Sequence, residues 1–169
     1  VTMVPANAIT IESISDVNNN LQFCIQNPAV IVDNCEWNRS TSLWDSKKTM
    51  YDPCPAGWRI PDGGSTGIWS KTLGFSSYYY DGVYDNINNG MNFSGKFGSA
   101  STIWYLASGY RSYDDGSLMN VCVYGGYWSV SPGANDVYAC RLDFEQGGYV
   151  GPSDDFRRAY GQSVRCLQE

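Results

Sequence analysis

The chain has 169 residues, 43% hydrophobic, 15% aromatic and 17% charged, with 18 glycines. That length suits one domain around one core, and the composition describes a loop-rich β-containing protein rather than a helical bundle or a disordered chain. Acidic residues outnumber basic ones 17 to 11, for a formal net charge of -6, which argues against nucleic acid or an anionic membrane as partner because both need a basic face; no run is long and apolar enough for membrane insertion.

Residues 1–20 read as a lead-in segment, with a short strand over 9–11 and a polar turn over 16–20, and the main domain is assigned to 21–169. Residues 21–25 alternate as a strand does, Asn27-Pro28 ends them, and 29–32 form a second short apolar run. Cys24 and Cys35 flank this hairpin-like segment and are candidates for a disulfide. The chain has six cysteines and no histidine. A zinc site without histidine would need closely spaced cysteine pairs, and no Cys-x-x-Cys occurs. Disulfides are therefore expected, with buried free thiols as the alternative. Disulfides imply an oxidising, exported location, so the chain is expected to start after a processing boundary.

After a polar segment carrying Trp37 and Trp44 comes Tyr51-Asp-Pro-Cys-Pro-Ala-Gly-Trp-Arg-Ile-Pro-Asp62. Its prolines and glycine hold the backbone in fixed turns around Trp58, whose size suits a core anchor. The stretch resembles the Asp-Pro-Cys-Pro-x-Gly-Trp-Arg-x-Pro signature of the Fibrobacter-type major paralogous domain, a group of exported bacterial domains related to the formylglycine-generating enzyme and lectin-like folds. Residues 65–74 have the spacing of one or two helical turns with Gly74 as the stop. The triple tyrosine of 76–82 reads either as an exposed loop beside a binding surface or as a partly buried aromatic turn. Residues 90–95 suggest a strand and 96–99 a turn leading into 103–106, a strand of a central sheet.

From Trp104 to Cys166, core-like pieces alternate with runs rich in Tyr, Asp, Ser and Gly. In 140–145, Leu142 and Phe144 alternate with Arg141, Asp143 and Glu145, so a strand would bury the first set and present the second for binding. The intervening runs have the composition of paratopes, in which Tyr supplies rigid contact area and Ser, Asn and Gly adapt around it.

The frame Ser-Gly-Tyr-Arg (108–111), Gly-Ser-Leu (116–118), Tyr-Trp-Ser (127–129), Leu-Asp-Phe (142–144) and Gly-Gln-Ser-Val-Arg-Cys (161–166) resembles the C-terminal region of gut-bacterial variable proteins of diversity-generating retroelements. The resemblance implies an α+β, C-type-lectin-like or formylglycine-generating-enzyme-like fold, loop-rich, with a central antiparallel sheet and few short helices. It also implies that adenine-directed mutagenesis rewrites chosen Asn codons in a variable region over about 109–161. The runs match the resulting residue alphabet, and Lys is absent after Lys96; Met119, Glu145 and Gln146 depart from it. At the end of the chain, 163–166 is expected as the last strand, returning beside the first, with Cys166 bridging to Cys54. Such a link would contribute roughly 4 kcal/mol in the chain-entropy estimate. Cys122 and Cys140 receive no partner.

Catalytic chemistry finds little support. Histidine is absent and the lysines lie in polar contexts, so hydrolytic triads are not expected. Asp114-Asp115 and Asp154-Asp155 are acid-base candidates by type alone, and adjacent strand residues point to opposite faces. A thiol-oxidase reading lacks electropositive surroundings at Cys122 or Cys140. The triplets with which lectin-like folds hold calcium do not occur, so no metal and no cofactor are expected.

The chain thus reads as a non-enzymatic, exported ligand-binding domain of adhesin or receptor type on a bacterial cell surface. Its partner would be a protein or glycan on another cell, a phage or a host. The expected contact residues are Ser112, Tyr113, Asp114, Asp115, Tyr124, Asn135, Asp136, Tyr138, Arg141, Asp143, Tyr149, Ser153, Asp154, Asp155, Phe156, Arg157 and Tyr160, with Tyr127 and Trp128 holding the scaffold. The alternatives are a structural or tip subunit of a surface filament, assembled through an edge strand, and, behind it, a formylglycine-generating-enzyme-like or glycoside-processing enzyme.

Overall fold

A computed structural model describes residues 43–80, 82–93, 103–135 and 137–169, Gln26, and the backbone of strands β1 (Thr10–Glu12) and β2 (Val30–Val32). These two pair in parallel, Thr10 opposite Val30. The expected strand over 21–25 and the Cys24–Cys35 pairing lie outside the described residues.

The rest is mostly β-strands in small antiparallel sheets, with a short helix and long connections. The largest sheet sets β10 (Tyr138–Glu145) between β9 (Tyr124–Pro132) and β11 (Val150–Arg157). Its inner face carries Tyr127, Leu142, Phe144 and Val150, all buried. They pack with Trp69 and Leu73 of α1 (Ile68–Leu73) and with Met91, Phe93, Tyr105 and Ala107. Large apolar side chains such as Leu142, Phe144 and Val150 each contribute about 1.5–3 kcal/mol by leaving water. Gly125 stands opposite Phe144, and any side chain there would collide with the phenyl ring. The core rings meet edge to face, Phe93 on Tyr105 at 5.4 Å and Tyr105 on Tyr127 at 4.9 Å. The Trp69 indole N–H, buried with them, donates to the Tyr105 hydroxyl at 3.0 Å.

Helix α1 ends as its sequence suggests. Gly74 adopts φ +80° and its N–H returns to the Ser70 carbonyl, a left-handed stop that residues with a Cβ enter at a cost. A second sheet orders β4 (Tyr84–Asp85), β5 (Gly90–Asn92) and β6 (Trp104–Leu106). Residues 104–106 were expected in the central sheet; they instead pair with β5, and Gly90 permits it by leaving room for the Trp104 ring and the Tyr105 carbonyl.

Two further expectations are corrected around the Asp-Pro-Cys-Pro motif. Trp58 is 40% exposed and does not anchor the core. Ile60 does, fully buried with Cys54 and Val130. The reason is Asp52, whose buried carboxylate accepts the Cys54 N–H at 2.8 Å and the Ile60 N–H at 3.0 Å, which turns the loop so that Ile60 enters and Trp58 lies at the rim. The last strand is β12 (Leu167–Gln168), not 163–166, and its partner is β3 (Trp58–Arg59) rather than the first strand. Ser163 makes only an isolated parallel bridge to Tyr127. The Cys54–Cys166 disulfide is present, closing a separation of 112 residues with Cα atoms 5.7 Å apart. Cys122 is an exposed free thiol and Cys140 a buried one. No helix of the described residues is long and apolar enough to cross a membrane, and the disulfide is compatible with an extracellular location.

Candidate functional site

The outer face of the β9–β10–β11 sheet carries Tyr124 and Gly126 from β9, Arg141 and Asp143 from β10, and Gly151, Asp154 and Phe156 from β11. Alternation along each strand separates these from the apolar inner set. A register shift in β11 opposite Arg141–Asp143 keeps Asp154 and Gly151 on this same side.

Arg141 is the centre. Its Nη2 donates to Asp154 Oδ2 at 2.8 Å and Nε to the same oxygen at 3.2 Å, and Nη2 also reaches Asp143 Oδ2 at 3.3 Å. The guanidinium lies over Phe156, its carbon 3.6 Å from the ring centroid, and 5.3 Å from the Tyr124 ring. Contrary to expectation, Arg141 and Asp143 are buried, each 4% exposed. The alternation argument placed both correctly on the non-core face but said nothing of what covers that face. Aromatic rings cover it. Tyr110 of β7 (Tyr110–Arg111, paired with β8, Leu118–Met119) touches Tyr124 at 5.5 Å, Phe156 at 5.9 Å and Tyr160 at 5.4 Å. Tyr160 continues to Phe156 at 4.4 Å and Tyr113 at 4.8 Å, and Arg157 lies over Tyr113 at 5.3 Å.

Burial sets the electrostatics. Removal from water pushes the Asp143 carboxyl up to about 7; Arg141 opposes the shift, while Asp154 and Glu145 add to it. The Tyr124 hydroxyl donates to Asp143 Oδ2 at 3.2 Å, and burial holds its own pKa far above the usual phenol range. Burial does the same to Tyr149, with the Asp143 and Asp154 charges adding to the effect. Arg141 Nη1, Asp143 Oδ1 and both amide atoms of Gln162 are buried with no hydrogen-bond partner among the described residues. Gln162 lays its amide over Gly126, where any side chain would collide with it.

The expected contact residues divide into groups. Tyr113, Tyr124, Arg141, Asp143, Asp154, Phe156, Arg157 and Tyr160 form the connected cluster just described. Tyr149 stands at its other edge, against Tyr78 and Tyr80. Ser112, Asp114 and Asp115 build the 112–117 turn: the Ser112 hydroxyl accepts the Asp114 N–H, and exposed Asp115 takes both the backbone and hydroxyl hydrogens of Ser117, which hold its carboxyl below the usual range. Asn135 caps its own turn through the Val137 N–H, and Tyr138 pairs with Arg157 at the same end of the sheet. Ser153 and Asp155 point away from the cluster. Ser153 donates to the Ser76 carbonyl, and Asp155 accepts from the Ala134 N–H and the Cys140 thiol. Asp154 and Asp155 therefore serve opposite faces. Burial and Asp155 push the Cys140 thiol up to about 12. Asp136 lies outside the described residues. Among the described residues no group of three or more Asp, Glu or Cys side chains is placed to hold a metal ion.

Sequence reasoning missed Tyr110; of the two readings left open for the triple tyrosine, Tyr78 and Tyr80 follow the exposed one, each 64% exposed, and Tyr79 the partly buried one. Tyr110 was assigned to the invariant frame, and the only signal for it was its place beside the Tyr-rich runs. Comparisons with protein-family models, with curated proteins and with solved structures find no match.

Proposed function

We propose that the chain is an exported ligand-binding domain of adhesin or receptor type on a C-type-lectin-like scaffold, with the 109–161 region diversified by a retroelement so that copies bind different partners. The observation that carries this reading is the gathering of Tyr113, Tyr124, Phe156, Arg157 and Tyr160 on the sheet face opposite the core, joined by Tyr110. Aromatic and arginine side chains at this density are the groups that dominate binding interfaces. The main apolar cluster lies against the inner face of the sheet, so the half-buried rings at the rim of the outer face, Tyr113 and Tyr160, are replaceable at smaller cost than the core. The 112–117 turn and residues 133–135, which hold Asp114, Asp115 and Asn135 exposed, are loop positions of the kind that tolerate change.

The test is genetic. Sequencing of sibling alleles and of the neighbouring DNA is expected to find substitutions confined to about 109–161. A near-copy of that stretch, with Asn codons at the varying positions, would lie next to a reverse transcriptase. Variation spread evenly along the gene, with no such donor copy, would overturn the reading.

A further inference from the structure

The triple tyrosine of 78–80 is fastened to the start of β11. Tyr79 and Val150 exchange both backbone hydrogen bonds, at 2.9 and 2.8 Å, and the Gly82 N–H reaches the Gly148 carbonyl at 2.9 Å. Tyr79 thereby faces the core, while Tyr78 and Tyr80 are thrown outward, each 64% exposed. Both meet Tyr149, Tyr78 stacked at 6.0 Å and Tyr80 edge-on at 5.5 Å. Between this ledge and the start of β11 lies a hollow of about 110 Å³, bordered by Ser76, Tyr78, Tyr149, Gly151 and Asp154.

We infer that this hollow is a subsite for a guanidinium group, the arginine side chain of a protein partner. The shape decides against a caged ammonium. A guest midway between the Tyr78 and Tyr149 rings would sit about 3 Å from each centroid, inside the 3.5–4.0 Å contact distance of carbon atoms. The guest must lie flat on a ring beside the hollow, as planar guanidinium does. The polar groups decide against an anion. Asp154 presents Oδ1, which takes no hydrogen bond from the described residues, and the Ser76 carbonyl accepts only from Ser153. Acceptors of this kind suit a group that has five N–H donors and no acceptor. No Lys or Arg borders the hollow. Arg141 occupies only the other oxygen of Asp154, Oδ2, and a chain of net charge -6 attracts a cation from a distance. The fold already shows the same recognition once, with Arg141 lying on Phe156 while it binds the other oxygen of Asp154.

The subsite goes beyond the diversified face, since Tyr78 and Tyr80 lie outside 109–161. The experiment is an NMR titration at low salt with the peptide acetyl-Gly-Arg-Gly-amide. Its citrulline analogue and methyl glucopyranoside serve as neutral planar and sugar probes. The arginine peptide is expected to bind at least tenfold more tightly than the citrulline peptide and to move the Tyr78 and Tyr149 ring signals. Tyr78→Ala, at a site too exposed to disturb the fold, should weaken it at least fivefold. Equal binding of both peptides, binding of the sugar alone, shifts centred on Tyr113 and Tyr160, no binding, or an unaffected Tyr78→Ala variant would each overturn the subsite. None of these outcomes touches the allelic test of the 109–161 region, and an even spread of allelic variation would leave the subsite standing.

Discussion

Arg141 and Asp154 are joined through one carboxylate oxygen, which receives both Nε and Nη2 while the guanidinium carbon rests 3.6 Å from the centre of the Phe156 ring. Arg141 also pairs with Asp143, both side chains 5% exposed, and breaking that buried pair from one side leaves a charge without compensation, at about 3–5 kcal/mol. Arg141→Met should therefore destabilise by that amount in urea unfolding. Adding Asp143→Leu should recover part of the loss, because fewer stranded charges remain. Additive losses would show instead that Arg141 serves to pack on Phe156.

Asp143 makes stability depend on pH in an unusual direction for a carboxylate. Burial pushes its carboxyl up to about 7 from the ordinary 3.8, so between those values the folded state holds a proton that the unfolded state has released. Stability from this group is fully present below pH 4 and is lost as pH rises through 7. About three units at about 1.4 kcal/mol each set an upper bound near ~4 kcal/mol. Exposed Asp85 and Asp115 have lowered pKa values and act in the opposite sense. The measurement is therefore the difference between the wild type and Asp143→Asn. That variant should gain on the wild type from pH 4 to about pH 7 and level off above it, and a constant difference across that range would contradict the shift.

Cys54 and Cys166 tie the Asp-Pro-Cys-Pro loop to the chain end. The double Ser variant should lose about 4 kcal/mol, read as a lowered melting temperature, if loop-closure entropy governs the bond. In a Cys24→Ser, Cys35→Ser background, a reducing agent should lower the melting temperature of the protein that keeps Cys54 and Cys166 and leave the protein that lacks them unchanged.

The two free thiols should differ in reactivity. In a Cys24→Ser, Cys35→Ser background at pH 8, Ellman's reagent should titrate one thiol in the native protein, exposed Cys122, and two in denaturant. Cys140 is buried, and its thiol is pushed up to about 12, so the reactive thiolate is scarce. Two fast native thiols would show that β10 opens readily at its Cys140 end.

Gly125→Ala should cost about 1–3 kcal/mol, since a methyl group there meets the Phe144 ring and the strands must part. An unaffected melting temperature would mean that the Phe144 ring can tilt away freely.

Residue order alone determined a good deal of this molecule. The period-two pattern of 140–145 put Leu142 and Phe144 in the core, Gly74 stopped α1, and Tyr127 and Trp128 proved buried. Those features are local, because strand alternation and a left-handed stop depend on a few neighbouring residues. Tertiary structure decided the rest. Whether Arg141 and Asp143 face water depends on Tyr110, Phe156 and Tyr160, brought over them from distant parts of the chain, and no local pattern encodes that cover. Trp58 lies at the rim because Asp52 turns the loop with two backbone hydrogen bonds. Residues 104–106 joined another sheet because strand partners are chosen by long-range fit, for which a sequence window carries no signal. The charge of each side chain was legible from the start, but its solvation was not, since burial belongs to the assembled layers and not to the residue.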